Sequence, residues 1–329
     1  MAYETGTATN IGDLFARLNT FASANGWTID HSASDRLFLT RSTVSVAFRW
    51  STTSPTCAAI YQHTAFVNSA TDPGNHTNDS GQGNISGTNA TLLTGRHVPF
   101  VDSSMRYWFF ESDFYIHAVA EAVGTLSFTH FGFGLLDKRG TWTGGEYSYG
   151  WRIDPAGGTG DSAVRAVSTH LLDGLAGITS DTVVRPFVGT VHCEGLPNQT
   201  ASGKWGLTWA GLIANTGTDR AAIARESLQG GFRGGPIARP FGRHGSTIGS
   251  GVVPLYPIGV WYDDRTLARW HELGYMLDVR GANMRNYAPA DEVTVGSDVW
   301  VLFPSRYKTS VSNTGSTRNQ GIAYRKVTI

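Results

Sequence analysis

Carboxylates, histidines and tryptophans are the residues of this chain whose types and spacing could do chemistry. Glu111 with Asp113, and the neighbours Asp263 and Asp264, are the carboxylate pairs that could serve as acid and base on a glycosidic bond. Glu111-Ser112-Asp113 also makes an ordinary hairpin turn, and that is the preferred reading. The ten histidines form no His-x-x-x-His, His-Glu-x-x-His or His/Cys cluster, so no metal centre is expected from a single element. His117 and His130 fall inside strand-like runs, where a satisfied interior histidine is the expectation.

The polar stretch holding Asp72, Asn75, Asn78 and Asp79 offers oxygen ligands at close spacing. It lacks the glycine and distal glutamate of a calcium loop, and a solvated loop is the better reading. Asn75, Asn78, Asn84, Asn89 and Asn198 begin Asn-x-Ser/Thr sequons, which matter only in a secreted eukaryotic chain. Gly203-Lys204-Trp205 lacks both the earlier glycine and the Ser/Thr of a phosphate-binding loop, and no Gly-x-Ser-x-Gly elbow is present. The expectation is therefore no catalytic residue, no cofactor and no metal.

Flat indole rings stack well on sugar faces, and they also dominate cores and protein interfaces. Trp108 and Trp209 lie in strand runs and are expected in the core. Trp142 and Trp151 lie in Gly-rich surroundings, where an interface or ligand role is open.

The elements that must position these residues begin with one helix. Asn10 caps it, Asp13 suits its positive start, and Ile11, Leu14, Phe15, Leu18, Phe21 and Ala22 recur at helical spacing before the Asn25-Gly26 exit. Strands follow at Trp27–Asp30, Arg36–Thr40, Val44–Trp50 and Cys57–Phe66, and the helix is expected to lie across this small antiparallel sheet. Thr71 to Thr94 reads as an exposed polar loop. Tyr107–Phe110, Phe114–Ala120 and Ser127–Phe133 are nearly continuous apolar and aromatic runs, as in strands buried on both faces.

Beyond them, Gly140–Gly160 is undecided, and Ala163–Gly177 fits a short helix or turns. Strands return at Thr182–His192 and Lys204–Ile213. Ala221, Ala222, Ala224, Arg225 and Glu226 favour a helix from Asp219 to Leu228. Gly231–Gly251 reads as a Gly/Arg-rich loop. Val252–Tyr262, broken by Pro254 and Pro257, is expected as an edge strand, ahead of closing strand pairs at Glu292–Phe303 and Gln320–Val327. The expected fold is mainly β: an antiparallel β-sandwich over 106–329, a small N-terminal helix-plus-sheet (α+β) unit over 1–66, and an exposed loop over 67–105 between them.

Composition supports this. The 329 residues carry 40% hydrophobic and only 16% charged side chains with 40 glycines, a balance suited to short strands and tight turns. Lys+Arg and Asp+Glu both number 26, so no excess positive field would hold nucleic acid or an anionic membrane. No basic segment with a following apolar stretch opens the sequence, and no run of about 18 apolar residues occurs, so a soluble product of a cytoplasm is expected. Cys57 and Cys193 are read as buried free thiols, a bridge between them being the alternative.

Several blocks, in order along the chain, carry a resemblance: Ala2-Tyr3-Glu4-Thr5-Gly6-Thr7-Ala8-Thr9 with Asp13-Leu14 and Gly26-Trp27; Arg106-Tyr107-Trp108-Phe109-Phe110 with Ile116 to Glu121; and Leu255–Ile258, Glu272-Leu273-Gly274, Asp291–Gly296 and Val299–Pro304. This pattern resembles a family of tailed-bacteriophage virion structural proteins, from which the Gly230–Gly251 insertion departs. The resemblance implies a tail, baseplate or neck component located in the virion, made in the bacterial host cytoplasm. Its expected partners are copies of itself and other virion proteins, with a host-surface glycan the alternative, and a polysaccharide-cleaving enzyme less favoured. Phe232, Arg233, Arg239, Phe241 and Arg243 are the interface candidates, with Trp142 and Trp151; a merely flexible loop is the competing reading of Gly231–His244.

Overall fold

A computed structural model describes residues 2–52, 57–67, 97–100, 103–124, 127–150, 152–153, 166–167, 188–194, 205–209, 220–223, 255–264, 269–284, 286–304 and 320–326. The elements run β1 (Ala2–Ala8), α1 (Ile11–Ala24), β2 (Thr28–Ala33), β3 (Arg36–Arg41), β4 (Val44–Ser51), β5 (Cys57–His63) and β6 (His97–Pro99). They continue with β7 (Met105–Ser112), β8 (Tyr115–Ala122), β9 (Ser127–Lys138), β10 (Thr143–Gly150), β11 (Arg152–Ile153), β12 (Ala166–Val167), β13 (Val188–Glu194) and β14 (Trp205–Trp209). The last are β15 (Arg220–Ile223), β16 (Tyr256–Asp264), β17 (Arg269–Asn283), β18 (Glu292–Val295), β19 (Asp298–Pro304) and β20 (Gln320–Lys326).

The helix forms where its termini are chemically closed. Asn10 Oδ1 accepts the Asp13 amide at 2.9 Å, and Asp13 Oδ2 reaches back to the Thr9 amide at 2.9 Å. At the other end the amides of Gly26 and Trp27 bond the carbonyls of Ser23 and Ala22, with Gly26 at φ +83°, a Schellman closure that glycine adopts without a Cβ penalty. Every apolar residue expected on the helix face is buried.

That face is used twice. The small sheet, in order β2-β3-β4-β5-β6, gives Leu37, Leu39, Val44, Val46 and Phe48 to a core that also takes Tyr107, Phe109, Ile116, Ala118, Phe131 and Phe133 from the large sheet. Phe15 stands at the junction, stacked on Trp50 at 4.5 Å and 6.1 Å from Phe131. Helix and small sheet therefore form a layer over one face of the large sheet.

The large sheet has thirteen strands, and every ladder among the described strands is antiparallel. Its main path is β1-β7-β8-β9-β17-β20-β19-β18. β9 pairs with β8 over Ser127–Gly134, with β10 over Phe131–Leu135 and with β17 over Leu136–Lys138, so this one strand carries three ladders of the large sheet. From β10 the sheet continues to β13 and β14, which lies alongside β15, and β15-β16 lead back to β17. The sheet thus curls on itself and encloses a second core.

Strand alternation sorts the two cores, because successive side chains point to opposite faces. Tyr107 and Phe109 face the helix layer; Trp108 and Phe110 face inward to Phe128, Tyr149, Phe303 and Tyr324. Tyr107–Phe110, Tyr115–Ala120 and Phe128–Phe133 are buried on both faces as expected, with Thr129 half-buried, whereas Phe114 sits in the β7–β8 turn and is exposed.

Three expectations need correction or refinement. Arg220–Ile223 is strand β15, paired with Val260–Asp263, and not the opening of a helix; a strand partner outweighs a helix propensity worth only tenths of a kcal/mol per residue. β16 is not an edge, since it pairs with β15 on one side and β17 on the other. Among the described residues β15 reaches only to the level of Val260, so Pro257 is paired there with Arg280 of β17 alone. The division at residue 66 does not follow the sheets, for β1 belongs to the large sheet and β6 to the small one.

Candidate functional site

Among the described residues, one cluster of ionisable side chains is built by an irregularity in the sheet. In the β10–β13 ladder Gly144 faces Cys193 and Tyr147 faces Val191, so Gly145 and Glu146 together oppose His192 in a bulge. The glycines make it possible: Gly144 and Gly145 have φ of +111° and +114°, and a Cβ on Gly144 would lie 2.2 Å from the His192 carbonyl oxygen. The bulge turns Glu146 toward His192. Period-two alternation along β13 puts Glu194 on the same face as His192.

The result is an imidazole between two carboxylates. His192 Nδ1 lies 2.8 Å from Glu146 Oε2, and Nε2 lies 2.8 Å from Glu194 Oε1. Ionised carboxylates only accept, so both ring nitrogens must donate, and the ring is an imidazolium. Burial opposes its charge, but the hydrogen bonds and charges of Glu146 and Glu194 outweigh it and hold the pKa above the ordinary value. For Glu146, burial pushes upward, while the hydrogen bond from His192, a backbone hydrogen bond and the charge of the imidazolium bring the carboxyl below its usual range. With both nitrogens protonated the ring has no lone pair to act as a base, and its two carboxylates sit at opposite nitrogens and do not converge on a point where a metal could be held. No other trio of His, Cys, Asp or Glu is grouped around a metal position among the described residues.

A second polar network lies inside the curled sheet. His117 and His130 are fully buried, and desolvation lowers each pKa to about 3, so both rings are neutral. Each Nε2–H donates to a carbonyl, of Leu277 at 3.2 Å and of Pro304 at 3.0 Å. Each Nδ1 then accepts a tyrosine proton, from Tyr149 and Tyr324, both at 2.9 Å. The two hydroxyls are 3.4 Å apart, and with their protons committed to the rings they share none. Gly132 makes the room, because a Cβ there would lie 2.6 Å from the Tyr149 ring and 2.7 Å from His117 Nδ1. Both histidines are satisfied interior residues, as expected. Tyr115 extends the network by donating to Asp278 at 2.7 Å, and Arg325 bonds the other oxygen of that carboxylate at 3.0 Å.

The expected carboxylate pair is placed by a turn. Asp113 and Phe114 connect β7 to β8, and both Glu111 and Asp113 bond the guanidinium of Arg41, which also donates to the Asn25 carbonyl at 2.6 Å. Glu111 is buried, and desolvation raises its pKa against the opposing charge of Arg41, while Asp113 is exposed. A single cation ties both acids, so they form an interlayer clamp. Asp263 and Asp264 lie in β16, opposite Trp270 and Arg269 in register.

Trp108 is in the core, as expected, and Trp142 is also buried, 8% exposed, with its indole N–H donating to the Arg139 carbonyl at 2.8 Å and Lys138 over its ring. Trp151, Phe232, Arg233, Arg239, Phe241 and Arg243 lie outside the described residues, as do the Asp72–Asp79 stretch and the five sequons. The cluster around His192 was missed in the sequence. Its signals were Gly144-Gly145 beside an acid, and a His-x-Glu spacing on one strand face.

No protein-family model and no curated protein matches this chain. No helix among the described residues is long and apolar enough to cross a membrane.

Proposed function

We propose that this chain is a non-enzymatic structural subunit of a tailed-phage particle, in tail, baseplate or neck, working as a symmetric homo-oligomer. The observation that carries the reading is where the blocks of resemblance fall in space. Ala2–Ala8 is β1 and pairs with Arg106–Phe110 of β7, with Gly6 opposite Tyr107 and Thr5 opposite Trp108. Trp108 then packs on Phe303 of the Val299–Pro304 block, at 4.9 Å between rings. Three blocks far apart in sequence meet in one sandwich, which is what a shared scaffold requires of them.

The polar chemistry supports the same reading. The imidazolium, the neutral histidines and the Glu111–Arg41–Asp113 clamp each join one strand or layer to another. Buried polar ties of this kind give stiffness and a single arrangement, which a repeated subunit needs. Partners would dock through interfaces on the order of 1,000 Å² or more.

The test is direct. Antibody raised against the purified protein should label one fixed position on particles of the encoding phage, and the isolated protein should sediment as a discrete oligomer. Absence from washed particles would overturn the proposal. So would reducing-end release from host polysaccharide that disappears on Glu111→Gln or Asp263→Asn substitution, whereas binding to a glycan array would point to the receptor-binding alternative.

A further inference from the structure

We infer that the free edge of β1 is a docking surface for β1 of a second copy of this chain, the two strands running antiparallel about a two-fold axis at Thr5. The inference deepens the homo-oligomeric part of the proposed function and rests on that part alone.

β1 ends the large sheet, and among the described residues its one ladder is with β7. A strand so placed presents a row of backbone amides and carbonyls without a sheet partner, and proteins that keep such an edge to themselves shorten it, bulge it, or set proline or charge on it. Two other edges show these devices. β18, the opposite end of the main path, is only four residues long, and β2, which ends the small sheet, shifts register between Ile29 and His31 and carries Asp30 there. β1 shows none of them: Ala2–Ala8 stays in unbroken register with β7 over all seven residues and contains no proline, lysine or arginine. Its single charge is held within its own copy, since Glu4 Oε1 accepts from the hydroxyl of Tyr107 of β7 at 2.8 Å. Thr5 and Thr7 are exposed.

Register identifies the occupant. Only every second residue of a strand turns its amide and carbonyl to a given edge, so two identical antiparallel strands pair about a residue and never between two. About Thr5 all seven positions find partners: Ala2 meets Ala8, Tyr3 meets Thr7, Glu4 meets the uncharged Gly6, and Thr5 meets its own copy. A slip to Glu4 sets two carboxylates face to face, and a slip to Gly6 leaves Ala2 and Tyr3 without strand partners. The strand is complementary to itself, which is what a two-fold contact requires. The second layer ends at the same rim, because Lys326 Nζ lies over the Tyr3 ring at 5.0 Å and bonds Glu292 of β18 at 2.8 Å. Two large sheets joined at β1 would run on as one.

Cross-linking and sedimentation of the full chain test this. Across the axis the two Thr5 Cα atoms would lie about 4.5 or 5.5 Å apart, within disulfide reach, whereas the two Thr7 positions would be roughly 14 Å apart. Mild oxidation of Thr5→Cys should therefore give about tenfold more linked dimer than Thr7→Cys or the wild type, whose Cys57 and Cys193 set the baseline. Thr5→Lys and Thr5→Glu should each weaken the dimer about fivefold, and an equal mixture should regain wild-type association, because opposite charges then face each other. Both variants lose the Thr5 bond to the Tyr107 carbonyl, so recovery on mixing cannot come from the fold of either. Thr5→Cys that links no better than Thr7→Cys, or a mixture as weak as its parts, overturns the inference. So does a monomer whose β1 amides are all protected from exchange, since another segment would then fill the edge. A Thr5-linked dimer absent from washed particles overturns the particle reading and leaves this contact standing, whereas particle-bound protein that fails the cross-link does the reverse.

Discussion

The hydroxyl of Tyr324 donates to Nδ1 of His130 across 2.9 Å, joining β20 to β9 inside the second core. Replacing Tyr324 by Phe keeps the ring packing on Phe110 at 5.1 Å and removes the donor from a buried acceptor. The expected cost is about 1–3 kcal/mol. It should appear as a lower urea midpoint with an unchanged slope; an unchanged midpoint would mean that the hydroxyl contributes nothing net.

His117 and His130 should make the fold sensitive to acid. Their folded pKa of about 3 lies below the ordinary 6.5, so between those values the unfolded chain binds protons that the native state refuses. Stability is then full above the ordinary value and lost as pH falls toward 3, at roughly 1.4 kcal/mol per pH unit for each ring. His192, raised in the fold, works in the opposite direction and offsets part of this. Urea midpoints should therefore be lower at pH 5 than at pH 7.5, and a flat profile would contradict neutral buried rings.

Phe15→Ala should cost far more than Asn10→Ala. Phe15 is 1% exposed and touches Phe48, Trp50, Phe100 and Phe131, so truncation leaves a cavity worth about 3–5 kcal/mol. Loss of the Asn10 cap removes one bond to the Asp13 amide, typically about 1 kcal/mol. Thermal unfolding of the two variants ranks them, and equal losses would show that the helix is held by its end and not by its face.

Two glycines with positive φ should respond differently to Ala. At Gly144 the added carbon meets the His192 carbonyl, and backbone strain alone is on the order of 1–3 kcal/mol, so Gly144→Ala should also unmake the His192 cluster. At Gly296, φ +64°, nothing lies within 4 Å, and only a left-handed penalty of about 1–2 kcal/mol applies. Denaturation curves with the ¹⁵N signal of His192 separate the cases; a native signal in Gly144→Ala would count against the bulge.

Local chemistry made the helix and the first strands legible. Asn10, Asp13 and Asn25-Gly26 act within four residues of one another or of the backbone they satisfy, and the doubly apolar runs from Tyr107 to Phe133 signal burial on both faces whatever their partners. β17 was not legible, because Arg269, Glu272, Asp278 and Arg280 interrupt any apolar period. Its course depends on partners: it leaves β9 after Met276, Asp278 takes φ +54°, and it joins β20 from Val279. β15 reads as helix because propensity is local while its ladder with β16 is not. The His192 cluster escaped for the same reason: Gly144-Gly145 and His192-x-Glu194 each show on their own strand, but the bulge that joins them is a mismatch between the two.

β1 lies beside β7, and Thr5 bonds the carbonyl of Tyr107, 102 residues further on. On a ribosome, those seven residues emerge long before the strand that completes them. α1 and the β2–β5 meander can assemble in the meantime from neighbours in the sequence, but β1 must wait, tethered and unmatched, until Met105–Ser112 has been made. The layer over the first core is therefore sealed from its far side by later-made chain, and closing so long a loop places this step among the slow ones.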